Sequence, residues 1–302
     1  MGQVEVLGRL LEARADIGLA NVYGATPVYM AAAYGQTAVL ERLIEAMADI
    51  HQAKDNGATP VYVSAENGHT EVLECLMTAR ANIHQTTNDG ATPAFIAAQN
   101  GQIEVLERLM KARADIHQAA NNGATPTLIA AQSGQTEVLE CLMASNADVQ
   151  QATDDGTTPV LLAAQNGRIE VLRCLMEARA DIHKAASDGS TPVLMAAEQG
   201  QAEVMEVLVE ARADICQADN DGVTPLLVAA QNGHVQVLER LMELKADMRR
   251  AANDGTTPIL IAAQNGQTEV LACLMAARSQ IQQPHCWAFI AAALGCWPRP
   301  RP

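Results

Sequence analysis

The chain has 302 residues, 49% of them hydrophobic and 18% charged, with a formal net charge of −15 and a pI near 4.8. Nucleic-acid affinity rests on Lys and Arg displacing counterions, so an acidic chain of this kind argues against a phosphate-backbone partner and makes a basic protein surface the easier expectation. No apolar run approaches the roughly 20 residues needed to span a bilayer, and Met1 does not open the charged start and apolar core of a secretory leader.

In chain order, residues 1–21 read as the rear half of a structural unit, because Glu5-Val6-Leu7 and Ala15-Asp16-Ile17 fall in register with the units after them. From Val22 onward Thr-Pro recurs at Pro27, Pro60, Pro93, Pro126, Pro159, Pro192, Pro225 and Pro258, each 33 residues after the last. A period of this length is the signature of a stacked array, which grows by addition and needs no globular boundary. The spacing predicts eight full units at 22–54, 55–87, 88–120, 121–153, 154–186, 187–219, 220–252 and 253–283, and then a tail at 284–302 that departs from the pattern.

The unit 55–87 shows how each local signal points the same way. Thr59 caps the exposed N–H groups of a first helix and Pro60 occupies its first position at no cost in hydrogen bonds. Val61-Tyr62-Val63-Ser64-Ala65 supplies a short apolar helix of mostly small residues, which Asn67-Gly68 ends. A second helix is predicted from about Thr70 to Ala79, with Val72, Leu73, Leu76 and Met77 on one buried stripe and Glu71 and Glu74 in solvent. An extended connection then leads to a tight turn at Asn88-Asp89-Gly90. One such helix pair cannot cover its own apolar face, so its neighbours must.

With Gly57-Ala58-Thr59-Pro60, Ala65-Glu66-Asn67-Gly68-His69 and Glu71-Val72-Leu73 in place, the sequence resembles the ankyrin-repeat family. The resemblance implies an all-α fold with short β-hairpin-like loops, an α-solenoid of stacked helix-turn-helix units. It also implies protein binding in a concave groove built from the hairpin tips and the exposed side of each first helix. Two departures stand out. The family's Thr-Pro-Leu-His becomes Tyr29, Tyr62, Phe95, Leu128, Leu161, Leu194, Leu227 and Leu260 at the His position, exchanging a polar tie for apolar packing. The family's glycine after the second helix becomes Arg14, Met47, Arg80, Arg113, Asn146, Arg179, Arg212, Lys245 and Arg278. Either these residues adopt a left-handed backbone, at roughly 1–2 kcal/mol each, or the helix ends differently. An ion-pair ladder from the Arg residues to Asp115, Asp181 and Asp214 is one way to offset that cost.

Carried over by position, the groove residues are Asp55, Asn56, Glu66 and Asn67, then Asn88, Asp89, Gln99 and Asn100. The series continues with Asp154, Asp155, Gln165 and Asn166, then Asp188, Glu198 and Gln199, then Asp221, Gln231 and Asn232, and ends with Asp254, Gln264 and Asn265. Asp and Asn also suit the turns themselves, so turn chemistry competes with binding as their reason. Val22, Tyr23 and Tyr34 replace the polar residues of those columns in the first unit, either as a binding hot spot or as packing at the truncated start.

No phosphate loop, dinucleotide fingerprint, zinc-protease motif or nucleophile elbow is present, so no catalysis, cofactor or metal is expected. His51, His84, His117 and His183 share one column, but units spaced at about 8–10 Å hold their donors too far apart for one zinc. Cys75, Cys141, Cys174 and Cys273 share a column on the second helix and read as small buried apolar residues, too widely spaced for disulfides. In the tail, His285, Cys286 and Cys296 offer three metal donors where four are usual. The apolar run from Trp287 to Leu294 reads either as a cap on the last unit or as an unstructured extension. A monomeric, intracellular, cytoplasmic scaffold or adaptor is expected, the nucleus remaining open. A targeting fragment of a larger enzyme and a structural spacer are the other two readings.

Overall fold

The computed structural model describes residues 2–281 and holds seventeen α-helices and no strand among them. The tail 284–302, with the cap and the His285, Cys286 and Cys296 donors expected there, lies outside the described residues. The chain forms two compact units that part between Asp188 and Gly189.

In the first unit the helices are α1 Gly2–Glu12, α2 Pro27–Ala33, α3 Thr37–Glu45, α4 Pro60–Glu66, α5 Thr70–Thr78, α6 Pro93–Gln99, α7 Ile103–Lys111, α8 Pro126–Ser133, α9 Thr136–Ala144, α10 Pro159–Gln165 and α11 Ile169–Glu177. In the second they are α12 Pro192–Glu198, α13 Ala202–Glu210, α14 Pro225–Asn232, α15 Val235–Glu243, α16 Pro258–Gln264 and α17 Thr268–Ile281. First helices pack on first helices and second on second, so α2, α4, α6, α8 and α10 form one layer and α1, α3, α5, α7, α9 and α11 the other. The same two layers recur in the second unit as α12, α14, α16 and α13, α15, α17.

Each first helix starts as its Thr-Pro pair dictates. Thr92 holds an extended backbone and its hydroxyl accepts the Phe95 N–H at 3.0 Å, while Pro93 opens α6. Thr26, Thr59, Thr125, Thr158, Thr191, Thr224 and Thr257 do the same for the residue three positions on. The column that lacks the family histidine is therefore tied through its backbone N–H. Its side chains are buried at Tyr29, Phe95, Leu128, Leu161, Leu194 and Leu227, and Leu260 is 46% exposed. The core of the first unit is built on the leucine pairs of the second helices, Leu40 and Leu43, Leu73 and Leu76, Leu106 and Leu109, all fully buried. Alanines at Ala65, Ala97, Ala98, Ala130 and Ala131 let the helices approach closely.

The second helices end in a Schellman motif: Arg80 N–H donates to Met77 O and Ala81 N–H to Leu76 O, both at 2.9 Å. Eight of the nine substituted glycine positions take the left-handed backbone, with φ between 56° and 66° at Arg14, Met47, Arg80, Arg113, Asn146, Arg179, Arg212 and Lys245. Strain at these positions, rather than a changed helix ending, is what the structure shows. Arg278 differs because α17 continues through it to Ile281.

Ion pairs and cysteines both depart from expectation. The described ion pairs do not involve the Arg column with Asp115, Asp181 or Asp214; two join successive second helices, Arg108 Nη1 to Glu74 at 2.6 Å and Arg240 Nε to Glu206 at 3.0 Å, and the others lie within one second helix. These pairs are partly exposed, where such contacts are worth little. Of the cysteine column only Cys174 is buried; Cys75, Cys141 and Cys273 are half-buried. Burial, then the Glu140 carboxylate, push the Cys174 thiol up, so it is no activated nucleophile.

Candidate functional site

The loops that carry the candidate residues are closed locally. Thr87 N–H donates to Ala91 O and Gly90 N–H to Thr87 O, both at 3.0 Å, which gives a hairpin-like turn without a strand. Gly90 has φ 85°, and a Cβ there would lie 2.5 Å from Asn121 Oδ1 of the next loop, so both backbone and space require glycine.

Successive loops are then bonded to one another. Asn88 N–H donates to Asn56 O at 3.0 Å and Asn121 N–H to Asp89 O at 2.9 Å. Asn88 Nδ2 donates to Asp55 O at 3.0 Å, Asn121 Nδ2 to Asn88 O at 3.0 Å and, in the second unit, Asn253 Nδ2 to Asn220 O at 2.9 Å. A parallel amide ladder runs along the first-helix ends: Asn67 Nδ2 to Ala33 O, Asn100 Nδ2 to Glu66 O, Asn232 Nδ2 to Glu198 O and Asn265 Nδ2 to Gln231 O, at 2.8–3.3 Å. The column two residues beyond Asn67 and Asn232, which sequence reasoning passed over, repeats the pattern, with His69 Nε2 3.1 Å from Ala33 O and His234 Nε2 2.9 Å from Glu198 O. Its sequence signal is a column of Gln, His and Arg, all able to reach a carbonyl across one repeat, as Gln135 and Arg168 also do.

The ladders divide the candidate set. Asn67, Asn88, Asn100, Asn232 and Asn265 spend their side-chain N–H groups on the preceding repeat, and Asn166 spends its own on Leu162 O. Asp55, Asn56, Asp89, Asp154, Asp155, Asp188, Asp221 and Asp254 stand exposed at the loop tips. On the helix side Gln231, Gln264 and Gln199 are exposed, and Glu66, Gln99, Gln165 and Glu198 are half-buried. Asp155 accepts the Thr153 hydroxyl and the Thr157 N–H, and these bonds, the Thr153 one first, hold its carboxyl below the usual range. The Thr256 backbone and hydroxyl do the same for Asp254. Both stay anionic at neutral pH.

In the first full unit the ladder columns change residue type: Val22 stands in the Asn88 column and Tyr34 in the Asn67 column, and neither carries a side-chain amide. Their side chains are 88% and 67% exposed, and Tyr23 is 66% exposed. Tyr62, half-buried on α4, has its phenol pushed up to about 12 by burial, then by Glu66 and Asp89. Because the folded value lies above the ordinary value of 10.0, the protonated phenol favours the fold below pH 10 and this contribution is lost as pH rises toward 12. Absorbance titration at about 295 nm, where phenolates absorb, is therefore expected to show a late phenolate transition near pH 12 that Tyr62→Leu removes. An unchanged profile would disprove it.

His51, His84, His117 and His183 are exposed, and each backbone N–H is held by the Asp or Asn two residues earlier, at 2.8–2.9 Å. No group of three or more His, Cys, Asp and Glu able to hold a metal occurs among the described residues. No described helix is long and apolar enough to cross a membrane.

Paired helices repeated in two layers, joined by bonded loops whose tips project carboxylates, define a helical-repeat module of the kind that binds other proteins. The model of the family described as ankyrin repeats (3 copies) matches residues 1–87, 65–153, 94–186, 128–219 and 193–285, and the chain belongs to the ankyrin-repeat family. No curated protein matches the chain.

Proposed function

We propose that the chain is a non-catalytic scaffold or adaptor that holds a protein partner on the strip formed by its loop tips and first-helix ends. One observation carries this reading. The amide ladders consume the side chains that point along the stack, whereas Asp89 in the first unit and Asp221 in the second stand exposed at their loop tips, one residue beyond the ladder column. Maintained exposed charge on one edge is not needed for stacking, so binding is its better reason. The net charge of −15 favours a partner with a basic surface over nucleic acid. The eight-unit division of residues 22–283, a monomeric state and an intracellular location belong to the same proposal.

Site-specific photo-crosslinking tests it. A photoreactive side chain at Asp89 or Asp155 is expected to capture a defined partner, while the same group at Glu107 or Glu140 on the second helices captures none. Cross-links confined to the second-helix positions, or none at any position, would overturn the assignment.

A further inference from the structure

We infer that residues 287–295 of this chain lie against α16 as one more first helix and cover the apolar face of the last unit. This surface is separate from the loop-tip strip, and the inference does not rest on the scaffold reading.

Burial locates the face. Along one column of the second unit, Leu194 and Leu227 are 4% and 2% exposed, whereas Leu260 is 46% exposed. Along another, Ala197 and Ala230 are fully buried and Ala263 is exposed. The second helix of the same unit is closed, with Val270, Leu271 and Leu274 of α17 all buried. The opening is therefore confined to α16, which packs on α14, while α14 itself lies between α12 and α16. An apolar outer face is costly in water, and stacked arrays need a covered or polar end.

The sequence that follows α17 supplies the occupant. Ala288-Phe289-Ile290-Ala291-Ala292 repeats Ala94-Phe95-Ile96-Ala97-Ala98 of α6 residue for residue, and Gly295 matches Gly101, the left-handed glycine just past that helix. In α6 all five of these residues are buried, and the helix packs between α4 and α8. The same side chains in the same order are thus already suited to closing a first-helix face. The 33-residue spacing hides the match, because Trp287 stands in the place of Pro93 and comes 29 residues after Pro258.

Reach and charge agree with this placement. Helix α17 runs to Ile281, and the five residues 282–286 span up to about 17 Å, more than the about 8–10 Å between packed helices. Residues 282–302 carry Arg299 and Arg301 and no Asp or Glu, opposite in sign to a chain whose net charge is −15.

The test places a photoreactive side chain at Leu260 of the whole chain and maps the products by peptide mass. The expected product is a cross-link within one chain to residues 287–295. Products that join two chains would instead assign the face to a second copy, and products confined to other segments, or none, would likewise remove the inference. Hydrogen exchange gives a second reading. Amides of residues 290–294 are expected to exchange at least about tenfold more slowly than in an unstructured peptide, as helical amides under tertiary cover do. Phe289→Asp is expected to abolish that protection and to speed exchange in α16, with α12 and α13 unchanged because each repeat touches only its neighbours. Unprotected amides in the parent chain, or protection that Phe289→Asp leaves intact, would mean that this segment does not cover α16.

Discussion

Replacing Arg80, Arg113 and Arg179 together with glycine is expected to stabilise the protein by about 1.5–3 kcal/mol, read as a higher urea midpoint with an unchanged slope. All three residues hold φ between 60° and 66°, where a side chain meets its own backbone and costs roughly 1–2 kcal/mol. Glycine removes that cost but gives back about 0.4–1 kcal/mol through the freer unfolded chain. The net is about 0.5–1 kcal/mol at each site, and sites on separate repeats add. The arginine side chains are exposed and take part in none of the described ion pairs, so little is lost with them. A lower midpoint for the triple variant would mean that the arginines contribute more through their long side chains than they cost through their backbone.

The second large effect is expected at Leu109→Ala, with a loss of about 2–5 kcal/mol. Leu109 is fully buried on α7, between the second helices α5 and α9, in the same cluster as Leu76 and Leu142. Truncation removes buried methyl groups and leaves a cavity that close-packed helices fill only in part. Because each repeat touches only its neighbours, the damage should be local. Hydrogen exchange is expected to accelerate most in α6 to α9 and least in α2 and α3. Uniform loss of protection from α2 to α11 would contradict nearest-neighbour coupling.

Much of the fold could be read from residues close in sequence. The Thr-Pro pairs specify where α4, α6 and the other first helices begin, because capping involves only the next three residues. The stripe Val72, Leu73, Leu76 identified the buried face of α5, because helical periodicity repeats within two turns. The strain at Arg80 and its equivalents was legible as one of two alternatives, since the missing glycine was visible but the way the helix ends was not.

What sequence alone determined is thus the 33-residue unit, its two helices, its loop and its excess negative charge. Tertiary structure decided the directions of side chains that act across a repeat. It assigned Asn67 and Asn88 to carbonyls 34 and 33 residues away and left the Asp89 carboxylate in solvent, although all three read alike as turn or groove residues. It also kept Cys75 and Cys141 only half-buried. The physical reason is range: capping and periodicity act within one or two helical turns, whereas a polar side chain turns toward whichever partner the neighbouring repeat presents.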